Sequence, residues 1–313
     1  MRNTRSVLST VALGLSASVL LSACAGADGA ADETTGGSEV TVLASFYPLQ
    51  YVAEQVGGEH VQVTAMTPPG AEPHDLELSP RQVREVGDAD VVLFLAGFQP
   101  AVDDAVAARS PEHLVDAAET PAVAEHLSEQ DGTTEDDGHG HVAQDPHFWL
   151  DPKLLAAVAQ DVAAALGDAD PTNAATYVTR AEALADDLGA LDTRLADGLA
   201  TCERRVMVTA HEAFGFLAER YDLEQVGISG LDPESEPSPA RLREIGEVVT
   251  THGVTTIFTE ALLNPKVSQT LADDLGVSTA VLDPVESQVD PGTDYRGAME
   301  LNLAALREAL SCT

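Results

Sequence analysis

Three histidines stand where the local sequence holds the backbone in a defined direction. His74 ends a proline-rich stretch, His147 lies just before an Asp-Pro pair that starts a helix, and His211 follows the pattern of a buried strand. Asp at a helix N-cap with Pro at the first helical position gives a well-defined start. One loop histidine alone is weak evidence for a function, but three in such rigid settings predict a metal site.

Two carboxylates end strand patterns in the same half of the chain as His211. Asp283 follows the apolar run 277–282, and Glu260 follows the run 253–258. Ligands of α/β proteins collect beyond the carboxyl ends of the strands. Asp283 is therefore our candidate for a carboxylate ligand near His211. For Glu260 two roles stay open: it supports a ligand histidine from behind, or it caps a helix.

A stretch without periodicity, residues 125–144, contains His139 and His141 among many acidic residues. Tracts rich in His and acids bind metals weakly. We predict a secondary metal-binding loop at His139 and His141, and the alternative is a solvated insertion with no metal role.

Short apolar runs alternate with helical patterns along the chain, which favours parallel β pairing and an α/β fold. We predict two lobes, each a mostly parallel sheet flanked by helices, at residues 40–168 and 201–313. Between them, residues 169–200 carry one apolar stripe at steps of three and four, from Tyr177 to Leu199. Such spacing predicts a single long helix that links the lobes.

The chain begins with two arginines and an apolar run that is too short for a transmembrane helix. Residues 1–23 are therefore predicted to be a secretory signal peptide. The ending Leu21-Ser22-Ala23-Cys24 resembles a bacterial lipobox, which implies that Cys24 carries lipid and anchors the protein to the outer face of the cell membrane. Residues 24–39 are predicted to be a flexible tether.

The chain has 52 acidic and 16 basic residues and a formal net charge of −36. Such a charge repels phosphate backbones, so nucleic acid is excluded as a partner. The negative charge either attracts cations or serves solubility alone.

Besides Cys24 the chain has only Cys202 and Cys312, an even pair in an exported protein, and we favour a disulfide between them. Whether their geometry allows the bond is left open by the sequence. We expect a monomer.

Several motifs resemble, in order, those of the metal-binding solute-binding proteins of bacterial ABC importers, the ZnuA-like or cluster A-I family. The resemblance covers about residues 40–312. The motifs are Tyr47-Pro48, Pro68-Pro69-Gly70-Ala71-Glu72-Pro73-His74-Asp75, Asp145-Pro146-His147-Phe148-Trp149-Leu150-Asp151-Pro152, His211-Glu212-Ala213-Phe214-Gly215, Gly227-Ile228-Ser229-Gly230 and Leu282-Asp283-Pro284.

The resemblance implies a non-enzymatic protein that captures a metal ion between two α/β lobes and delivers it to an ABC transporter permease. Its ligands would be His74 and His147 from the first lobe and His211 and Asp283 from the second. In this family, histidine at the third ligand position, which is His211 here, is typical of zinc-binding members, whereas glutamate there is typical of manganese-binding members.

Three imidazoles and one carboxylate also suit tetrahedral Zn²⁺, because Mn²⁺ prefers more oxygen ligands. We therefore predict zinc, with manganese as the nearest alternative. Two other classes stay open: a metal-dependent adhesin, and a zinc hydrolase with an open fourth ligand position. Against the hydrolase, the chain has no His-Glu-x-x-His helix.

Overall fold

The computed structural model describes residues 39–130 and 144–313. The predictions for Cys24, His139 and His141 lie outside these residues. No helix in the described part of the chain is both long and apolar enough to cross a bilayer.

The first lobe is a four-stranded, all-parallel sheet with strand order β2-β1-β3-β4. Its fully buried strand β3 contains only Val, Leu and Phe, as expected for a parallel sheet covered on both faces. The elements are β1 (Val40–Ala44), α1 (Tyr47–Gly57), β2 (Val61–Ala65), α2 (Pro80–Asp88), β3 (Val91–Phe94), α3 (Pro100–Arg109), β4 (His113–Asp116) and α4 (Pro121–Gln130).

The second lobe repeats this topology, with strand order β6-β5-β7-β8 and parallel pairing throughout. In both lobes the first strand lies between the second and the third, so the chain changes direction across the sheet at that point. The elements are β5 (Val206–Thr209), α7 (Gly215–Arg220), β6 (Glu224–Gly227), α8 (Pro239–His252), β7 (Thr256–Thr259), α9 (Lys266–Leu275), β8 (Ser278–Val281) and α10 (Tyr295–Leu310).

Two antiparallel helices, α5 (Pro152–Ala169) and α6 (Ala174–Leu199), connect the lobes. The Asp151 carboxylate accepts a hydrogen bond from the Lys153 amide at 2.8 Å and caps α5, as its sequence predicts. The stripe from Tyr177 to Leu199 is buried along α6, which packs against α1 and α5 on one side and α10 on the other. The predicted fold of two α/β lobes is confirmed, and the 26-residue α6 fits the predicted linking helix.

Two strands were not predicted from the sequence, and one helix is longer than predicted. Strands β4 and β6 lie at the edges of their sheets, and their sequences, His-Leu-Val-Asp and Glu-Gln-Val-Gly, lack the apolar run that reveals a central strand. Helix α4 continues through residues 125–130, which the sequence analysis placed in irregular structure.

The predicted disulfide between Cys202 and Cys312 is present. It joins residues 110 positions apart and so closes the whole second lobe, from before β5 to after α10. A single antiparallel bridge pairs the same two residues through their backbones. The pairing brings the end of the chain back to the end of α6.

Candidate metal centre

The three predicted histidines meet between the lobes. His74 comes from the loop between β2 and α2, His147 precedes the short 3₁₀ turn Phe148–Leu150, and His211 follows β5. Their ring centroids are 5.4 to 5.9 Å apart. His147 and His211 have no solvent exposure, and the side chain of His74 is 15% exposed.

The fourth member of the group is Glu286. Its Oε1 atom lies 2.9 Å from His147 Nε2, 3.5 Å from His74 Nε2 and 3.6 Å from His211 Nε2. One ligand atom from each of the four residues lies within 4.8 Å of the other three. Among the described residues this is the one group of His, Cys, Asp and Glu found with the spacing of a metal site.

The structure does not place Asp283 in this group. Its Oδ1 accepts a hydrogen bond from the Val285 amide at 2.8 Å, and its backbone exchanges two hydrogen bonds with the Asn302 side chain on α10. The Asp283 carboxylate is therefore used within its own turn. Val285 then adopts φ 56°, which is rare for a β-branched residue, and the chain turns so that Glu286 reaches the imidazoles instead.

A carboxylate stands behind each of the two fully buried histidines. Asp145 Oδ1 lies 2.6 Å from His147 Nδ1, and Glu260 Oε1 lies 2.7 Å from His211 Nδ1. When Nδ1 of each ring donates to its carboxylate, the lone pair of Nε2 faces the shared centre. Of the two roles left open for Glu260, the geometry supports the one behind a histidine.

The buried ionisable groups of the centre shift one another's pKa values. Burial alone would raise the pKa of the Glu286 carboxyl, but the three imidazoles hold it well below its usual range. Burial alone would lower the pKa of His147, whereas the charge and hydrogen bond of Asp145 raise it. Against the same burial effect, Glu260 and Glu286 raise the pKa of His211 to about 10. The metal-free arrangement thus favours imidazolium rings around a carboxylate.

The chemistry of the four donors fits a divalent cation. Nε2 of His74 and Nε2 of His211 are buried and have no hydrogen-bond partner among the described residues. Such atoms cost free energy unless something binds them. A zinc ion with ligands at about 2.0–2.2 Å would satisfy both at once.

Aromatic rings enclose the centre on the side of the first lobe. The Phe98 ring meets the His74 ring edge-on at 4.8 Å, and Trp149 lies 5.1 Å from the His147 ring. Phe46 and Trp149 are fully buried. An apolar wall of this kind lowers the local dielectric and strengthens interactions with a cation.

The segment 283–287, which carries Glu286, is attached to the first lobe at several points. The Trp149 indole donates to the Pro284 carbonyl at 2.8 Å, and the Gly70 amide donates to Ser287 Oγ at 2.8 Å. Glu286 thus belongs to the second lobe by sequence and contacts the first lobe directly.

Sequence reasoning missed Glu286 and did not single out Asp145. Glu286 lies three residues beyond the chosen Asp283, and the rule that favours strand ends points to the earlier carboxylate. Its only sequence signal is an acidic side chain two residues after Pro284. Asp145 stood within the quoted motif, and its position two residues before His147 allows the backbone and ring contacts observed.

Two parallel α/β lobes with polar side chains converging between them define a bilobal binding protein. The family described as "ZnuA: Zinc-uptake complex component A periplasmic" matches residues 42–309. The chain belongs to this family.

The comparisons include full-length and partial matches. The high-affinity zinc uptake system protein ZnuA of Bacillus subtilis (strain 168) is 30% identical over 300 residues, 93% of this chain and 94% of that protein. The zinc-binding lipoprotein AdcA of Streptococcus pneumoniae serotype 4 is 32% identical over 281 residues, 86% of this chain. This chain spans only 56% of the length of that AdcA.

A solved structure provides a spatial comparison. The Zn(II)-bound ZnuA-like domain of Streptococcus pneumoniae AdcA matches with a TM-score of 0.70 at 30% sequence identity, covering 87% of this chain and 99% of that domain.

Proposed function

We propose that this protein captures one Zn²⁺ ion between its lobes and delivers it to the permease of an ABC importer. The observation that carries the proposal is the convergence of His74, His147, His211 and Glu286, whose ligand atoms lie within 4.8 Å of one another. Two of the imidazole nitrogens are buried without a partner. No described residue forms a hydrogen bond with these two nitrogens, and a bound cation would satisfy both.

Zinc is favoured over manganese by the donor set. Three imidazoles and one carboxylate match the tetrahedral N and O sites of Zn²⁺, whereas Mn²⁺ takes more oxygen ligands. The relatives named as zinc-binding or zinc-uptake proteins support the same choice. A zinc hydrolase would keep an open position for water, and Glu286 supplies a fourth donor here, which favours capture over catalysis.

Opening and closing of the lobes gives the ion access. His74 and His147 come from the first lobe, and His211 and Glu286 come from the second, so separation of the lobes divides the ligand set. A small pocket beside the centre is lined in part by Glu72, Asp283, Glu286 and Ser287.

Export, lipidation of Cys24 and docking on a permease complete the proposal. They are supported by family membership and by the signal-like start of the chain. The relative named a lipoprotein supports anchoring of this chain by lipid at the outer face of the membrane.

Titration of the purified metal-free protein with Zn²⁺, in competition with a chelating dye, tests the proposal. We expect one ion per chain. Replacement of Glu286 by Gln removes the charged donor and should lower the affinity more than about 100-fold, beyond the effect of residues that only support a ligand. Replacement of Asp283 by Asn is the matched control, because Asn keeps an acceptor for the Val285 amide.

Equal losses in Glu286→Gln and Asp283→Asn would remove Glu286 from its proposed role. Titration of the parent protein with an equimolar mixture of Zn²⁺ and Mn²⁺ decides which metal it prefers. Displacement of Zn²⁺ by equimolar Mn²⁺ would contradict the choice of zinc.

A further inference from the structure

Asp145 holds His147 by two hydrogen bonds. Its Oδ1 atom accepts from the His147 backbone amide at 3.0 Å and lies 2.6 Å from Nδ1 of the His147 ring. The Asp145 side chain is 13% exposed and the His147 side chain is fully buried. The position of this one carboxylate therefore sets the direction in which Nε2 of His147 points.

The other oxygen of Asp145 faces the second lobe at Gly215. A Cβ atom added to Gly215 would lie 2.3 Å from Asp145 Oδ2, far inside contact distance. Gly215 does not have a positive φ, so its backbone conformation would also suit alanine. Space for the Asp145 carboxylate is what requires glycine at this position.

Gly215 is the first residue of α7, and this helix meets the His147 segment at a second point as well. Helix α7 packs against the 3₁₀ turn that directly follows His147. Near its other end, Arg220 Nε lies 3.7 Å from the Asp151 carboxylate. One helix of the second lobe therefore lies along the segment 145–151 of the first lobe.

The supporting carboxylate of His211 is arranged differently. Glu260 follows β7 and belongs to the same lobe as His211, so that pair keeps its contact whether or not the lobes meet. Asp145 also shares a lobe with its histidine, but it is confined from the opposite lobe by Gly215. The orientation of His147 is thus the one that depends on a residue of the opposite lobe.

We propose that Gly215 and Asp145 form a positioning contact through which the second lobe orients His147 toward the ion. This inference rests on the proposed zinc-capture function and concerns residues outside the four donors. With α7 packed against the segment 145–151, Gly215 limits the space open to the Asp145 carboxylate. The carboxylate then stays on Nδ1 of His147, and Nε2 stays directed at His211 and Glu286.

A double-mutant cycle measured by zinc affinity tests the contact. Gly215→Ala should displace the Asp145 carboxylate and lower the affinity by about 10- to 100-fold, the range for residues that support a ligand. Gly230→Ala is the matched control, because no atom lies within 4 Å of its added Cβ. In the Asp145→Ala background the same Gly215→Ala change should cost nothing further, since the group it displaces is gone.

Two further readouts separate positioning from general damage. Asp145→Asn keeps an acceptor for the His147 amide and should retain more zinc affinity than Asp145→Ala. In the metal-free protein, the ¹⁵N resonances of the His147 ring should shift in Gly215→Ala and stay in place in Gly230→Ala, with thermal unfolding temperatures that match.

Equal losses from Gly215→Ala in both backgrounds would overturn the inference, as would zinc binding by Gly215→Ala at the affinity of Gly230→Ala. A parent protein that binds no zinc would overturn the proposed function instead. The ¹⁵N comparison in the metal-free protein then still decides whether Gly215 acts on His147 through Asp145.

Discussion

At the scale of single residues, the centre is a set of buried ionisable side chains whose protons a metal cation can replace. Glu286 stays ionised because three imidazoles surround it, and His147 and His211 have raised pKa values because carboxylates contact both of their ring nitrogens. Protons and zinc therefore compete for the same nitrogen lone pairs.

This competition predicts proton release when zinc binds. With its pKa raised to about 10, the His211 ring holds a proton at pH 7.5 in the metal-free protein. Binding should then release at least one proton, and affinity should fall as the pH is lowered. Isothermal titration at pH 7.5 in buffers with different ionisation enthalpies measures the number released. A binding enthalpy that does not change with the buffer would contradict the prediction.

At the scale of elements, α6 contacts the second lobe through a buried carboxylate as well as through its apolar face. Asp192 on this helix receives two hydrogen bonds from the Arg220 guanidinium of α7, at 2.8 and 2.9 Å, and a third from the Tyr221 hydroxyl at 3.2 Å. The Asp192 side chain is only 9% exposed. The same α7 that approaches Asp145 is thereby fixed to the linking helix.

Asp192 should make stability depend on pH. Burial alone would raise the pKa of Asp192, but the hydrogen bonds and charge of Arg220 outweigh burial and lower it. A carboxyl with a lowered folded-state pKa stabilises the fold above its unfolded value of about 3.9, and that contribution is lost as the pH falls through the folded value. Asp192→Asn should cost about 1–3 kcal/mol in the free energy of unfolding at pH 7.

Urea unfolding at pH 7 and at pH 3 measures this cost. The difference between the parent and Asp192→Asn should shrink at the lower pH, because Asp192 of the unfolded parent takes up a proton below its unfolded pKa of about 3.9. Asp186→Asn, an exposed change on the same helix, is the control and should differ little from the parent. A constant difference at both pH values would argue against a charge effect.

At the scale of the whole molecule, the apolar core runs from the first lobe through α5 and α6 into the second lobe. The fully buried rings of Phe46, Trp149 and Phe214 all belong to it. The second lobe has its own smaller core between β5, β7, α8 and α9, and the Cys202–Cys312 bond closes this lobe at its ends.

The disulfide should contribute to stability without contributing to binding. Closing a loop of 110 residues is worth about 4–5 kcal/mol in the unfolded chain on the entropy model. The Cys202→Ser, Cys312→Ser variant should lose about that much in urea unfolding and still bind zinc when folded. Reduction of the parent should produce the same loss. Unchanged stability in the variant would show that the bond constrains nothing in the unfolded state.

Much of the fold could be predicted because its signals are local. Central strands such as β1 and β3 are short apolar runs, and α6 shows its buried face in the spacing of its leucines. The edge strands β4 and β6 escaped prediction because a half-exposed strand needs no such run. Their place in the sheet comes from pairing with distant strands, which the local sequence does not record.

The sequence by itself singled out the three histidines, because proline, helix caps and strand ends set the backbone around them within a few residues. It singled out Cys202 and Cys312 because they form an even pair in a chain predicted to be exported. The tertiary structure alone decided that Glu286 and not Asp283 joins them, since this depends on the hold of Asn302 on the turn and on the backbone of Val285. It also decided the approach of Gly215 to Asp145. Distances between residues far apart in the chain follow from packing, and no local pattern contains them.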